Sequence, residues 1–182
     1  MPEPELHDAI ERARRIKVIG FDVDGVLTDG RLWYDNDGGE SKAFHVHDGL
    51  GLRLLARAGI ATCVISARAS AATERRLREL GVEHVYLGVA DKRPLFEQIC
   101  RDLGHRWFEA AYMGDDLPDL AILVRVHLAA TVRHAPAALR ERCHFIATRP
   151  AGAGAVREFA EFVLVAQGRL DALVEAYLGG GR

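Results

Sequence analysis

The 182-residue sequence has only three cysteines, Cys63, Cys100 and Cys143, which are widely spaced and include no C-x-x-C pair. An odd number of isolated cysteines favours buried free thiols over a disulfide framework. Free thiols are typical of proteins in a reducing compartment. We therefore expect the protein in the cytoplasm.

Long apolar segments and an excess of charge are also missing. No apolar run approaches the roughly 20 residues of a membrane-spanning helix, and the acidic first five residues, MPEPE, are unlike a signal peptide. The formal net charge of −2 provides no electrostatic attraction to nucleic acid or to an anionic membrane. We expect neither as a partner. The 49% hydrophobic and 27% charged residues fit one globular domain, residues 1–182.

Apolar runs and helical periodicities alternate along the chain. Predicted strands cover 16–21, 60–65, 82–87, 110–113, 127–131 and 144–147. Predicted helices cover 4–14, 48–58, 69–80, 92–103, 120–124, 135–142 and 156–167, with 170–178 as an extension of the last one and a disordered tail after it. This alternation predicts right-handed βαβ crossovers. The fold class is therefore α/β, a single doubly wound, Rossmann-like parallel sheet with helices on both faces.

A small β-hairpin interrupts this pattern after the first strand. Residues 31–34 and 41–44 flank the turn sequence 35–39, which reads DNDGG. The hairpin presents Trp33, Tyr34 and Phe44 on a ribbon too small to bury them alone. These side chains pack either against their own domain or in a subunit interface, and we favour the interface.

Two carboxylates follow the first strand directly, in the stretch 21–30, which reads FDVDGVLTDG. Asp22 and Asp24 would point to the same side if the strand continued through them. Acidic groups at the edge of a core need a cation, and a metal ion is the simplest candidate. The alternative is that both residues only cap a turn or the next helix.

Further chemical groups follow the other strands. Since parallel strands deliver their carboxyl ends to one edge of a sheet, we expect these groups to converge there with Asp22 and Asp24. They are Ser66, Arg68, Lys92, Asp115, Asp116 and Asp119. For Asp119, capping of the following helix is an equal alternative to a functional role.

This combination of groups suits phosphoryl transfer. Carboxylates and water are the ligands that Mg²⁺ prefers. The metal and Lys92 would neutralise charge on the phosphoryl oxygens, and Ser66 with the helix N-terminus behind it would donate hydrogen bonds. One aspartate is available to attack phosphorus, and another to act as general acid and base.

The order and context of these motifs resemble the haloacid dehalogenase superfamily of phosphatases, over nearly the whole chain. The resemblance implies that Asp22 is the nucleophile and Asp24 the general acid/base, whose backbone carbonyl also contacts the metal. Ser66 and Lys92 would bind the phosphoryl group. Asp115 would complete a metal site made by Asp22, Asp24 and Asp115.

Many members of this superfamily insert a separate cap domain over the site. Here the interval between Leu27 and Ser66 holds only the hairpin and one helix, and no later insertion is long enough. We therefore expect no cap domain. Capless relatives either act on macromolecules or borrow a lid from a neighbouring subunit, and the aromatic hairpin favours the second option.

Four segments resemble more specifically the 3-deoxy-D-manno-octulosonate 8-phosphate phosphatase family: 20–30 (GFDVDGVLTDG), 42–49 (KAFHVHDG), 114–117 (GDDL) and 154–158 (GAVRE). That family is capless, tetrameric and Mg²⁺-dependent, and makes a sugar of bacterial lipopolysaccharide. The resemblance implies a small sugar acid phosphate as substrate and a homotetramer formed through the hairpin 31–44. Arginine suits the carboxylate of such a substrate. The implied substrate contacts are Asp24, His45, Val46, His47, Asp48, Gly49, Arg53, Arg68, Arg76 and Lys92.

Three places depart from the pattern of that family. The sequence SAR at 66–68 replaces the commoner Thr-Gly-Arg, His47 stands where arginine is usual, and Ala153 stands where the glycine-rich tail often has arginine. Arg68 favours the eight-carbon substrate, because related phosphatases for nine-carbon acid sugars tend to carry glutamate there. The alternatives are a phosphatase for a nine-carbon sugar acid phosphate or another small phosphomonoester, and a catalytically inactive interaction module.

Overall fold

The computed structural model describes residues 3–180, so the last two residues of the predicted disordered tail lie outside it. The strands in this range are β1 (Val18–Phe21), β2 (Trp33–Tyr34), β3 (Glu40–Ser41), β4 (Ala61–Ser66), β5 (His84–Leu87), β6 (Ala110–Met113), β7 (Leu128–Val132) and β8 (Phe145–Ala147). The α-helices are α1 (Glu3–Ala13), α2 (Val46–Arg57), α3 (Ala71–Leu80), α4 (Lys92–Asp102), α5 (Leu120–Leu123), α6 (Ala137–Arg140), α7 (Ala155–Ala166) and α8 (Leu170–Leu178).

Six of these strands form one parallel sheet in the order β5-β4-β1-β6-β7-β8. The chain first builds outward from β1 through β4 to β5, and then adds β6, β7 and β8 on the other side of β1. Phe21 at the end of β1 is in register with Val64 of β4 and Met113 of β6. The sheet reverses its winding at β1, where open α/β sheets bind ligands beyond the carboxyl ends of their strands. The predicted fold class is confirmed.

The two faces of β1 carry different helices. Phe21 packs edge to face against Phe159 of α7, with ring centroids 6.4 Å apart. Gly20 faces the opposite side of the sheet, where an added Cβ would lie 2.4 Å from Cδ2 of Tyr112 and 2.7 Å from Cε2 of Phe96. The glycine thus lets Tyr112 and Phe96 of α4, whose ring centroids are 5.3 Å apart, pack directly against the strand.

The last two helices are separate. α7 ends at Ala166, and Gly168 has a φ of 64°, a left-handed conformation that ends helices. α8 starts at Leu170 and has no buried residue. The prediction of one extended helix was therefore wrong. The helical spacing of apolar residues continues across the break, but the backbone leaves the helical conformation there.

The predicted hairpin forms, with two residues in each of its antiparallel strands β2 and β3. The carboxylate of Asp35 holds the turn by accepting hydrogen bonds from two backbone N–H groups of the turn, at 2.7 and 2.9 Å. Trp33 and Tyr34 are each 62% exposed. Phe44 instead packs against the hydrophobic core, so the expectation that it is exposed with the other two was wrong.

The three cysteines are free, with Cys63 and Cys100 buried and Cys143 half-buried, as the sequence predicted for two of them. Burial raises the pKa of all three thiols above the usual value. Within residues 3–180, no helix combines the length and the apolar character that crossing a bilayer requires.

Candidate active site

The loop after β1 places Asp22 and Asp24 at the carboxyl edge of the sheet. The backbone N–H of Asp22 still donates to the carbonyl of Met113 on β6, at 3.0 Å. The chain then turns sharply, because the carbonyl of Val23 accepts hydrogen bonds from the three backbone N–H groups of residues 26–28, at 2.9 to 3.2 Å. The backbone that carries both aspartates is therefore held by hydrogen bonds on either side.

Lys92 joins two carboxylates in the interior of the site. Its Nζ lies 2.7 Å from Oδ2 of Asp22 and 2.8 Å from Oδ1 of Asp119, and its side chain is 2% exposed. The hydroxyl of Tyr112 also donates to Oδ1 of Asp119, at 3.2 Å, and the N–H of Asp115 donates to Oδ2 at 3.1 Å. Asp119, whose role the sequence left open, is thus a buried anchor for Lys92.

The carboxylates of Asp22, Asp115 and Asp119 lie close together, and the ammonium group of Lys92 contacts two of them. One oxygen each of Asp22, Asp115 and Asp119 lies within 4.8 Å of the others. When all three are ionised, Lys92 balances only one of the negative charges. Oxygen donors in excess of positive charge fit Mg²⁺, so the residues present suit the predicted metal. Asp22 and Asp115 lie together, as the predicted metal site requires. The carboxylate of Asp24, whose backbone carbonyl was the predicted ligand, contacts a different partner.

Burial and crowding of charge set the protonation of this cluster. The pKa of Asp22 is raised to about 6, chiefly by burial and then by the charge of Asp119, while Lys92 opposes the rise. Burial, together with the charges of Asp22 and Asp119, raises the pKa of Asp115 to about 7. For Lys92, burial favours a lower pKa, but the two carboxylates that it contacts outweigh burial and raise it. A bound cation would favour the ionised carboxylates.

The partner of Asp24 is Lys42, which sequence reasoning did not select. Nζ of Lys42 lies 2.6 Å from Oδ1 and 2.8 Å from Oδ2 of Asp24, and the Lys42 side chain is completely buried. Oε1 of Glu40 is 3.7 Å from the same ammonium group. The signal in the sequence was that Lys42 begins the segment 42–49, one of the four that carry the family resemblance.

The end of β4 brings Ser66 and Arg68 to the same edge. Ser66 is buried, and its Oγ accepts a hydrogen bond from the backbone N–H of Arg68 at 3.1 Å, which leaves the hydroxyl proton free to donate. The guanidinium of Arg68 extends to the hairpin and donates to the hydroxyl of Tyr34 at 2.7 Å and to Oε2 of Glu40 at 2.8 Å. Arg68 therefore ties the hairpin to the site.

The segment 45–49, predicted to contact substrate, forms the start of α2. This helix begins two residues earlier than predicted, because the ring Nδ1 of His45 accepts a hydrogen bond from the N–H of His47 at 3.2 Å. Val46 and His47 are exposed. The buried carboxylate of Asp48 accepts hydrogen bonds from two backbone N–H groups at the start of α7, at 3.1 and 2.9 Å. The structure thus places the Asp48 side chain in the interior, as a cap for α7.

Arg53 and Arg76 both contact Glu79, near the end of α3. Arg53 donates to the carbonyl of Glu79 at 2.8 Å, and Nη1 of Arg76 lies 3.8 Å from Oε2 of the same residue. Gly49 leaves room for Arg76, since an added Cβ would lie 2.5 Å from its Nη2. An open groove of about 510 Å³ runs beside these residues and is lined by Lys42, Phe44, Ala71, Ala72, Arg75, Arg76 and Glu79.

No family model matches the chain. Among curated proteins, it is similar to the 3-deoxy-D-manno-octulosonate 8-phosphate phosphatase KdsC of Yersinia pestis. The two are 36% identical over 168 residues, which cover 92% of this chain and 90% of the relative.

The chain is also similar to solved structures of phosphatases. The 3-deoxy-D-manno-octulosonate 8-phosphate phosphatase from Moraxella catarrhalis, in complex with a magnesium ion, a phosphate ion and a KDO molecule, superposes with a TM-score of 0.91. It is 38% identical, over 94% of this chain and 98% of that chain. A probable yrbi family phosphatase from Pseudomonas syringae has a TM-score of 0.92 and 44% identity, again over 94% and 98%. The similarity to both structures extends over nearly the whole chain.

Proposed function

The chain belongs to the 3-deoxy-D-manno-octulosonate 8-phosphate phosphatase family of the haloacid dehalogenase superfamily, and from this membership we propose that it hydrolyses 3-deoxy-D-manno-octulosonate 8-phosphate to KDO and phosphate. The reaction is an Mg²⁺-dependent phosphomonoester hydrolysis in lipopolysaccharide precursor synthesis. The observation that carries this proposal is the contact of Asp22 with Lys92 beside Asp115, at the edge of the sheet where ligands bind. The relative that holds magnesium, phosphate and KDO supports the same reaction.

Asp22 is the proposed nucleophile. A carboxylate oxygen of Asp22 forms a bond to phosphorus while the bond from phosphorus to the sugar oxygen breaks, which gives an aspartyl phosphate. Asp24 supplies the proton that the sugar oxygen takes up. Water then attacks phosphorus, gives its proton to Asp24 and releases phosphate, which regenerates Asp22. Each aspartate thus ends the cycle in its starting state.

The phosphoryl group is held by Ser66 and Lys92 in this proposal. Lys92 is already placed against Asp22, so it lies beside the developing charge, and Ser66 offers a hydroxyl proton from the neighbouring strand end. Asp22, Asp115 and the backbone carbonyl of Asp24 would hold Mg²⁺, which would neutralise charge on the phosphoryl oxygens. Both oxygens of Asp119 already accept hydrogen bonds, so we assign it to anchoring.

For the substrate contacts, we propose the residues that the family resemblance implied. Arg76 lines the open groove, and Arg53 contacts Glu79, which also lines it. Arg68 stands at the end of β4, where a guanidinium suits the sugar carboxylate. The main chain and exposed side chains of 45–49 complete the set. Arg68 favours the eight-carbon acid sugar over a nine-carbon one.

The assembly and the location of the protein also belong to this proposal. We propose a homotetramer formed through the hairpin 31–44, supported by the exposure of Trp33 and Tyr34 on a two-stranded ribbon. The free thiols support a cytoplasmic location.

Phosphate release in the presence of Mg²⁺ tests the function, with and without a chelator. The panel contains the eight-carbon and nine-carbon acid sugar phosphates, a hexose phosphate and a nucleotide. We expect strong preference for the eight-carbon compound and loss of activity with chelator. Preference for another compound would overturn the substrate and keep the mechanism. Release from none of them would favour the inactive interaction module.

A further inference from the structure

The ammonium group of Lys42 lies in a position that the reaction outlined above does not use. Its side chain is fully buried, and within residues 3–180 its ion-pair partners are Asp24 and Glu40. A lysine has three N–H donors and no acceptor. Two short contacts, of 2.6 and 2.8 Å, go to the two oxygens of one carboxylate, that of Asp24. A contact with both oxygens fixes the plane of the carboxylate as well as its distance from the ammonium group.

The backbone near Asp24 cannot fix that plane. Hydrogen bonds to the carbonyl of Val23 hold the turn, but they leave the side-chain torsions of Asp24 free. The Asp24 side chain is 20% exposed, so it borders the open side of the site. General acid–base catalysis requires the carboxyl group within hydrogen-bond distance of the proton that it transfers, and small displacements are costly. Lys42 is the group that sets this orientation.

The hairpin in turn holds Lys42. Glu40 precedes it by two residues, so both side chains lie on the same side of the ribbon, and the Glu40 carboxylate contacts Arg68 at 2.8 Å and Lys42 at 3.7 Å. Arg68 also binds Tyr34 on the opposite strand of the hairpin. The ribbon is thus attached at two strand ends, at β4 through Arg68 and at β1 through Lys42.

We propose that Lys42 is a positioning residue, which acts by fixing the carboxylate of Asp24 for proton transfer. The proposal rests on the proposed function, because Asp24 is the general acid/base only in that mechanism. If Lys42 bound substrate, its removal would raise KM. If its role were purely structural, the effect of its removal on kcat would not depend on Asp24.

The test compares Lys42→Met, Asp24→Asn and the double variant, with unfolding temperatures measured for each. Methionine keeps an unbranched apolar chain of similar length and removes the charge. We expect Lys42→Met to lower kcat by about 10- to 100-fold, a share of the roughly 10²–10⁴-fold that general acid–base catalysis contributes. KM should stay within about twofold, since the substrate contacts remain. In the Asp24→Asn background the same change should cost less than about threefold.

Lys17→Met is the matched control. Lys17 also forms an ion pair, at 2.6 Å with Glu109, but precedes β1 at the opposite end of the sheet and is 59% exposed. We expect it to leave kcat and KM unchanged. Equal losses for Lys42→Met with and without Asp24 would overturn the proposal, and so would a raised KM with unchanged kcat. If Lys42→Met does not fold, Lys42→Gln takes its place. Its amide keeps N–H donors but loses the charge, so we expect a smaller fall in kcat, which again should depend on the presence of Asp24.

A crystal structure of Lys42→Met separates this proposal from the proposed function. If the wild-type protein hydrolyses none of the compounds in the panel, the proposed function is wrong. The orientation of Asp24 can still be measured in that case. We expect its carboxylate to leave the orientation that Lys42 gives it. An Asp24 carboxylate that keeps its wild-type place without Lys42 would overturn the positioning role.

Discussion

Gly25 and Asp115 are so close that no side chain fits between them: a Cβ added at Gly25 would lie 2.0 Å from Oδ2 of Asp115. Gly25 also has a φ of 84°, in the left-handed region that favours glycine. One residue therefore makes the turn after the proposed nucleophile and leaves the space for a carboxylate of the proposed metal site. The loop and the metal site are coupled through this contact.

We predict that Gly25→Ala displaces Asp115 and weakens Mg²⁺ binding by about 10-fold or more, the usual effect of disturbing groups around a metal ligand. Calorimetric titration with Mg²⁺ measures this change. Gly30→Ala is the matched control, because its φ is 80° but an added Cβ meets nothing closer than 3.5 Å. Both variants should lose roughly 1–2 kcal/mol of unfolding free energy from backbone strain. Equal Mg²⁺ affinities for the two variants would contradict the coupling.

We predict that Asp22→Asn removes turnover, by roughly 10⁴-fold or more, as expected for loss of a nucleophile. The protein should remain folded, because Lys92 keeps its contact with Asp119. The raised pKa of Asp22, about 6, means that its ionisation destabilises the metal-free fold at pH 8. The variant should therefore unfold at the same temperature or higher in the presence of chelator. Single-turnover phosphate release checks activity, and substantial residual release would exclude Asp22 as nucleophile.

Local patterns in the sequence located the strand ends and, with them, the chemistry of the site. A buried strand followed by polar residues is a local signal, and it was enough to place Asp22, Ser66 and Asp115 at the same edge of the sheet. The pairing of Lys42 with Asp24 joins residues 18 positions apart, and the capping of α7 by Asp48 spans 106 positions. Such contacts depend on how the hairpin and helices pack, which no periodicity encodes. Sequence reasoning therefore found neither the pairing of Lys42 with Asp24 nor the capping role of the Asp48 side chain.

We predict that Mg²⁺ affinity falls as the pH is lowered from 8 to 6. The pKa values of Asp115, about 7, and Asp22, about 6, exceed the usual value of 3.8, so protons compete with the cation in this range. At pH 6 a carboxyl group with a pKa of about 7 is roughly nine-tenths protonated, which lowers the apparent affinity about tenfold. Titration of substrate-free protein at several pH values measures the effect. Asp115→Asn should flatten the dependence near pH 7, and a constant wild-type affinity would contradict these protonation states.

We predict that Trp33→Ala combined with Tyr34→Ala weakens the proposed tetramer, because both aromatic side chains are 62% exposed on a ribbon that cannot bury them. Sedimentation velocity over a range of protein concentrations measures the dissociation. Val165→Ala, a change at an apolar residue of α7 that is also 62% exposed, is the control and should leave assembly unchanged. A tetramer of wild-type stability in the hairpin variant would exclude this interface.

Arg68 either binds the substrate carboxylate or only holds the hairpin in place, and a comparison of two substrates distinguishes these roles. We predict that Arg68→Ala lowers kcat/KM for the acid sugar phosphate by about 10- to 100-fold, since a hydrogen bond to a charged group contributes roughly 1.5–3 kcal/mol. For p-nitrophenyl phosphate, which has no carboxylate, the loss should stay within about threefold. Tyr34→Phe is the control, because it removes the 2.7 Å contact between hairpin and guanidinium but leaves Arg68 itself. If Arg68→Ala impairs both substrates equally, Arg68 serves the site by holding the hairpin, and the substrate carboxylate must be bound by another residue.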